Sequence, residues 1–242
     1  MAYYNRNGEK LNLDVESLEF LNGGECAKIA YIGENVLKKY YDFTEREYRL
    51  TPQMFDLLST IDNKHLMKIY DVYSEMNLLK LLQNKIGLRS FVIDAYVAKY
   101  YHEESIDVLC EHKDYLLDNF GELEKLFEIF TDNGISTGDI GKKNAILNSR
   151  EIVLIDPDAF YAVKTSSRTL SLKNKKELLF LFKSILLDSV MENESCKGNI
   201  PLISKKITNQ LTNFKIDENT NITSELSKRL NYVKKPIDYL IK

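Results

Sequence analysis

The chain has 242 residues, 44% hydrophobic and 29% charged, which is enough for a substantial core in one large or two small domains and too apolar for a disordered chain. A net charge of -3 with no basic tail and no block of Lys and Arg excludes an obvious nucleic-acid interface. Cys26, Cys110 and Cys196 are too widely spaced for a disulfide framework or a Cys-rich metal site, no apolar run approaches a membrane span, and the start MAYYNRNGEKLNLD lacks the apolar core of a signal peptide. The expectation is a soluble cytoplasmic protein with no membrane or nucleic-acid partner.

In chain order, residues 1 to about 20 alternate weakly, and Leu11, Leu13, Val15 and Leu18 predict an edge strand or short lead-in. Phe20 to Asp42 carries a Gly pair, alternation through Lys28 to Tyr31 and a turn at Gly33 to Asn35, the pattern of a hairpin. Asp42 to Ile61 reads as helix, capped by Thr44 with Glu47 completing a capping box, interrupted at Pro52, and burying Phe55, Leu57, Leu58 and Ile61. Met67 to Tyr73 and Phe91 to Tyr101 are strand candidates, rich in aromatic and β-branched residues. His65, His102 and His112 are scattered and read as surface or internally satisfied side chains. Leu116, Phe120, Leu123, Phe127 and Phe130 then follow 4, 3, 4, 3 spacing, one apolar stripe of a long helix that Gly134 stops.

The stretch Asp132 to Phe160 is where chemistry concentrates. Asp139 is followed by Asn144, then by Ala145 to Leu147, a turn at Asn148 and Ser149, and Ile152 to Ile155, a small hairpin that brings Asn144 and Asp156 to one end. Asn and Asp oxygens are hard ligands suited to Mg²⁺, which takes few protein groups and fills its shell with water and substrate phosphates. The spacing therefore points to phosphoryl transfer. Leu178, Phe182, Ile185 and Leu186 predict a buried helix over Asn174 to Val190, and Ile200 to Lys242 is polar and helical in parts, including Glu225 to Val233.

D-x-x-x-x-N followed by an apolar strand and Asp resembles the catalytic and metal-binding segments of the protein kinase-like superfamily. The resemblance implies Asp139 as catalytic base and Asn144 with Asp156 as metal ligands. Gly138 before Asp139 is similar to the form in aminoglycoside and choline kinases, with Thr137 in place of their His and Gly141 where many protein kinases have a catalytic-loop Lys. Lys142 or Lys143 would replace that Lys. N-G-G-E-C-A-K-I resembles a degenerate Gly-rich loop, in which Gly23 and Gly24 approach nucleotide phosphates, and V-L-K places Val36 and Lys38 on one strand face, against the adenine and the phosphates; Lys39 is the register-shifted alternative. Ala98 stands as gatekeeper, and the backbone of Lys99, Tyr100 and Tyr101 as the adenine-facing hinge. Helix residues Gln53, Met54 and Asp56 occupy the region of the family's ion-pairing Glu, leaving Glu47 as its substitute or none. D-P-D replaces D-F-G, Asp158 is either a further ligand or a turn residue, and no A-P-E segment follows.

The fold implied is α+β and two-lobed, with a strand-rich N-lobe over residues 1–101 and a mainly helical C-lobe over 102–242. The activity implied is ATP- and Mg²⁺-dependent transfer of the γ-phosphate to a hydroxyl-bearing acceptor, a small molecule ahead of protein Ser/Thr. The alternative is a pseudokinase that binds nucleotide or a partner protein without turnover.

Overall fold

The computed structural model describes residues 2–21, 25–45, 48–76, 78–87, 90–104, 113–138, 140–193, 196–212 and 214–230. It is an α+β structure in two compact units, one formed by Met1–Asp62 with Leu66–Tyr101, the other by Asn63–His65 with His102–Lys242. The chain thus enters the second unit for three residues and returns to the first before leaving it at Tyr101.

The first unit is built on a five-stranded antiparallel sheet of β1 (Ala2–Asn5), β2 (Ala27–Ile32), β3 (Asn35–Tyr40), β4 (Ile69–Met76) and β5 (Ala95–Lys99), in the order β1-β4-β5-β3-β2. β2 and β3 form the anticipated hairpin, closed by Gly33 at φ +65°, a left-handed conformation that glycine adopts without steric cost. The edge strand lies earlier than the alternation of Leu11 to Leu18 predicts. Asn5 ends β1 by accepting from the amides of Asn7 and Glu9 at 3.0 and 2.9 Å, a side-chain turn that reverses the chain. Leu11 and Val15 then pack over Tyr3, Leu37 and Ala95 as a cover on the sheet, and Val15–Ser17 is a turn of 3-10 helix.

Among the described residues the α-helix expected from Asp42 begins at Pro52: α1 is Pro52–Ser59, capped by Thr51, which accepts from Met54 N at 3.1 Å. Pro52 starts this helix and does not interrupt it, because the first helical position needs no N–H donor. Upstream, Arg49 donates to the carbonyls of Tyr41 and Thr44 at 3.0 Å each and pairs with Asp94 at 2.6 Å, while Thr44 donates to Cys26 O at 2.5 Å. Carbonyls held by side chains are lost to a helical ladder. Met54 and Leu58 are the residues α1 buries. A second helix, α2 (Leu78–Lys85), has no counterpart among the expectations.

The second unit comprises α3 (Lys113–Asp132), β6 (Ile135–Thr137), β7 (Ala145–Leu147), β8 (Ile152–Leu154), β9 (Phe160–Ala162), α4 (Ser167–Glu192), α5 (Ile200–Thr212) and α6 (222–230). All five stripe residues of α3 are at most 3% exposed, and Gly134 follows at φ +67°. Phe120 meets Phe182 of α4 edge-on with centroids 4.8 Å apart, and Phe130 packs on Phe160 at 5.2 Å, which ties α3 to both α4 and β9. Glu124, 5% exposed, accepts from Ile222 N and Thr223 N at 2.6 and 3.0 Å, so a carboxylate from α3 caps α6. Among the described residues no helix is long and apolar enough to cross a membrane.

Candidate functional site

The candidate catalytic segment of the second unit hangs between two small antiparallel pairs. β6 pairs with β9, Ser136 opposite Tyr161, and β7 pairs with β8, Ala145 opposite Leu154. Ile155 N donates to Asn144 O at 2.9 Å, extending the hairpin by one bond to the end from which Asn144 and Asp156 emerge. Asn144 is 8% exposed and closes a 3-10 turn, Lys142–Asn144, through its amide to Gly141 O at 2.9 Å.

Asp156 has φ 67° and ψ 66°, and is the one non-glycine residue with positive φ among those described. Asp tolerates this region better than most residues, yet it costs energy and is held only where the surroundings impose it. Pro157–Ala159 follows as a further 3-10 turn containing Asp158, and Ala159 N donates back to Asp156 O at 3.1 Å. Asp156 is therefore fixed between a hairpin end and a turn.

Three buried polar side chains brace this region: Asn174 and Asn119, which the sequence reading did not single out, and His65, which it took as a surface or internally satisfied histidine and which is 1% exposed. Asn174 of α4, 1% exposed, accepts from Thr137 N and Thr137 Oγ1 at 3.2 Å, and donates to Ile135 O at 3.0 Å and Thr131 Oγ1 at 3.1 Å. It thereby holds the whole of β6, which leads to Gly138. Asn119 of α3 accepts from Ile152 N at 3.0 Å, and His65 reaches β8 twice, with Nδ1 2.8 Å from Ile152 O and its own carbonyl accepting from Leu154 N at 2.8 Å. A signal for Asn174 was present: it lies four residues from both Leu170 and Leu178, a polar side chain on a buried stripe.

Gly138 has a steric reason. A Cβ there would lie 3.2 Å from Cε1 of Tyr161, so the tyrosine ring occupies the space of any larger side chain. The Tyr161 hydroxyl is hydrogen-bonded by Lys173, and Lys173 and Ser136 together hold the phenol below its ordinary range against the opposing effect of burial. Lys142 donates its amide to Ser184 Oγ at 2.8 Å, and its ammonium pairs with Glu103, so a catalytic role would require it to change partner. Lys143 is exposed. Asp139 lies outside the described residues.

In the first unit, register separates the two candidate lysines. Val36 faces Ala98 and Lys38 faces Tyr96 across β3 and β5, so Val36, Lys38, Tyr96 and Ala98 share one face of the sheet. Lys38 Nζ sits 5.7 and 5.8 Å from the rings of Tyr40 and Tyr96. Lys39 is on the opposite face, 3.1 Å from Glu16 and over the Tyr3 ring at 5.3 Å. Burial disfavours its charge, but hydrogen bonds with Tyr3 and Glu16 outweigh that and raise the ammonium above its ordinary value, while burial pushes the Tyr3 phenol up to about 12. Lys39 is thus committed to a structural network.

Leu21 N donates to Ile29 O at 2.8 Å; Gly23 and Gly24 lie outside the described residues, as does Glu47. Ala98, the expected gatekeeper, is fully buried, and Tyr101 of the expected hinge is 9% exposed. Lys99 N donates to Lys68 O at 2.9 Å and Tyr100 N to Glu34 O at 3.1 Å, so two backbone amides of the expected hinge bond within the protein, and the Tyr100 ring meets Tyr31 edge-on at 5.0 Å.

Asn144 and Asp156 supply a short set of hard oxygens, the donor chemistry that suits Mg²⁺. Among the described residues no group of three or more His, Cys, Asp or Glu side chains is placed to hold a metal ion. No protein-family model and no curated protein matches the sequence.

Proposed function

We propose that the chain is an ATP- and Mg²⁺-dependent phosphotransferase of protein kinase-like fold, acting in the cytoplasm, with the first unit as nucleotide-binding N-lobe and the second as catalytic C-lobe. The observation that carries this reading is the meeting of Asn144 and Asp156 at one hairpin end, with Asp156 held in left-handed backbone. Strain of that kind clusters at working sites. In the proposed roles Asp139 orients and deprotonates the acceptor hydroxyl, Lys38 holds nucleotide phosphates, and Asn144 and Asp156 hold Mg²⁺, which neutralises phosphate charge when bound. Such chemistry is mainly positioning and electrostatic stabilisation.

A small hydroxyl-bearing acceptor is favoured over a protein. Pro157 to Ser166 contains only a 3-10 turn, β9 and the cap of α4, where Ser166 Oγ accepts from Thr169 N at 3.3 Å and lies 2.9 Å from Thr169 Oγ1. Of the Thr165, Ser166, Ser167, Thr169 cluster, the Ser166 and Thr169 hydroxyls therefore serve a helix start. Intact mass after incubation with Mg·ATP tests this: stoichiometric phosphate on that cluster, absent in Asp139→Ala, would make polypeptide the acceptor class.

Turnover tests the reaction itself. Asp139→Ala is expected to lower ATP consumption by about 10²-fold or more at unchanged ATP affinity, because a base acts on the acceptor. Full turnover in the variant would remove Asp139 from the mechanism. The second reading, nucleotide binding without turnover, is favoured by α1, whose one acid, Asp56, pairs with Arg6. Thermal stabilisation by Mg·ATP with no consumption in the wild type would select it.

A further inference from the structure

We propose that His65 is a pH-sensitive latch on the β7–β8 hairpin. His65 is 1% exposed, and its Nδ1 lies 2.8 Å from the Ile152 carbonyl, an atom that only accepts. Nδ1 therefore carries the ring proton, and Nε2 is the bare nitrogen of a neutral imidazole. Among the described residues Nε2 is buried with no hydrogen-bond partner. Acid would add its proton at Nε2, creating a cation in a place with no acceptor for it, and burial of an unpaired charge is far more costly than burial of the neutral ring.

The charged groups around the ring do not reverse this. Lys64 precedes His65 in the chain and opposes its protonation; Glu151, leading into β8, and Glu122 of α3 favour it, but the Glu122 carboxylate is paired with Lys125 at 2.8 Å. Burial is the largest influence and holds the imidazole below its ordinary value of 6.5. The neutral ring is thus part of the folded state and the cation is not.

The consequence is local as well as global. The residue that titrates also supplies the carbonyl that holds Leu154 N, and the hairpin it holds ends at Asn144 and Asp156. Protonation expels the ring, both His65 contacts to β8 go with it, and the hairpin end that presents the two oxygen side chains is released. This holds whatever the chain binds or transfers.

For a group whose folded pKa is depressed in this way, the unfolded chain binds the proton first as pH falls. Stability contributed by neutral His65 is then complete above the ordinary value and declines below it, by up to tenfold in the folded-to-unfolded ratio per pH unit. The test compares denaturant unfolding of the wild type and His65→Asn from pH 8 to 5, since Asn keeps a donor for Ile152 O and cannot titrate. His102 and His112 are common to both, so the difference isolates His65. The expected result is a constant difference above about pH 6.5 and a progressive loss of the wild-type advantage below it; a difference that stays constant to pH 5 overturns the latch. If His65→Asn does not fold, nitrogen-15 NMR of the wild-type imidazole decides: a neutral Nδ1–H ring persisting below pH 6, with falling exchange protection of the Leu154 and Ile155 amides, supports the proposal. A ring that titrates at its ordinary value, or protection of those two amides that does not change with pH, overturns it.

Discussion

The two regions that carry candidate chemistry are positioned by opposite means. On β3, strand alternation alone assigns the work: Lys38 falls on the face of Val36 and Ala98, and its neighbour Lys39 falls on the face of Tyr3 and Glu16. At the β7–β8 hairpin and the strand β6 before it, position is imposed from outside by Asn174, Asn119 and His65, each buried and each bonded to backbone. An alternating strand needs no partner to decide which way a side chain points. An irregular loop has no such periodicity, and its geometry is only as firm as the polar groups that satisfy it.

The largest effect is expected at Asn174. Asn174→Leu leaves Thr137 N, Thr137 Oγ1 and Ile135 O without their buried partner, and at roughly 1–3 kcal/mol for each unsatisfied group the variant should lose about 3 kcal/mol or more of stability. Denaturant unfolding measures it, and a loss under about 1 kcal/mol would mean that β6 does not depend on the α4 brace. A smaller effect separates the lysines. Lys39→Met should cost about 1 kcal/mol, the scale of an ion pair with one exposed partner, and leave Mg·ATP affinity unchanged. Lys38→Met should reverse the pattern, with stability within about 0.5 kcal/mol of wild type and a clear loss of nucleotide affinity. Equal behaviour of the two variants would erase the distinction between the faces.

Much of the fold could be read from the chain because it is periodic. The β2–β3 hairpin and the stripe of α3 repeat with the period of their own backbone, the β7–β8 hairpin is two short apolar runs around an Asn-Ser turn, and each lies where expected. What escaped depends on partners far away in sequence. The Asp42 to Thr51 stretch is helical by propensity, but Arg49 binds Asp94 and two local carbonyls instead, and no local pattern announces that. Leu11 and Val15 alternate like a strand yet cover the sheet, because Asn5 has already turned the chain. Lys38 came ahead of Lys39 by its alternation with Val36, but what occupies Lys39 was not readable, because Glu16 lies 23 residues earlier in the chain. Asn144 and Asp156 were readable as a pair from the hairpin, but the left-handed backbone of Asp156 was not, since aspartate at the end of a strand is common in any conformation.

The proposed metal–nucleotide site at the hairpin end is tested most directly by titration calorimetry of Mg·ATP into wild type and Asp156→Asn. Asn accepts left-handed backbone as readily as Asp, so the substitution removes the charge and keeps the geometry. Mg²⁺-dependent ATP binding by the wild type and a loss of more than about tenfold in the variant are expected, since even partners outside the metal's own shell act on that scale. Equal Mg·ATP affinity in a folded Asp156→Asn variant would contradict the proposed site.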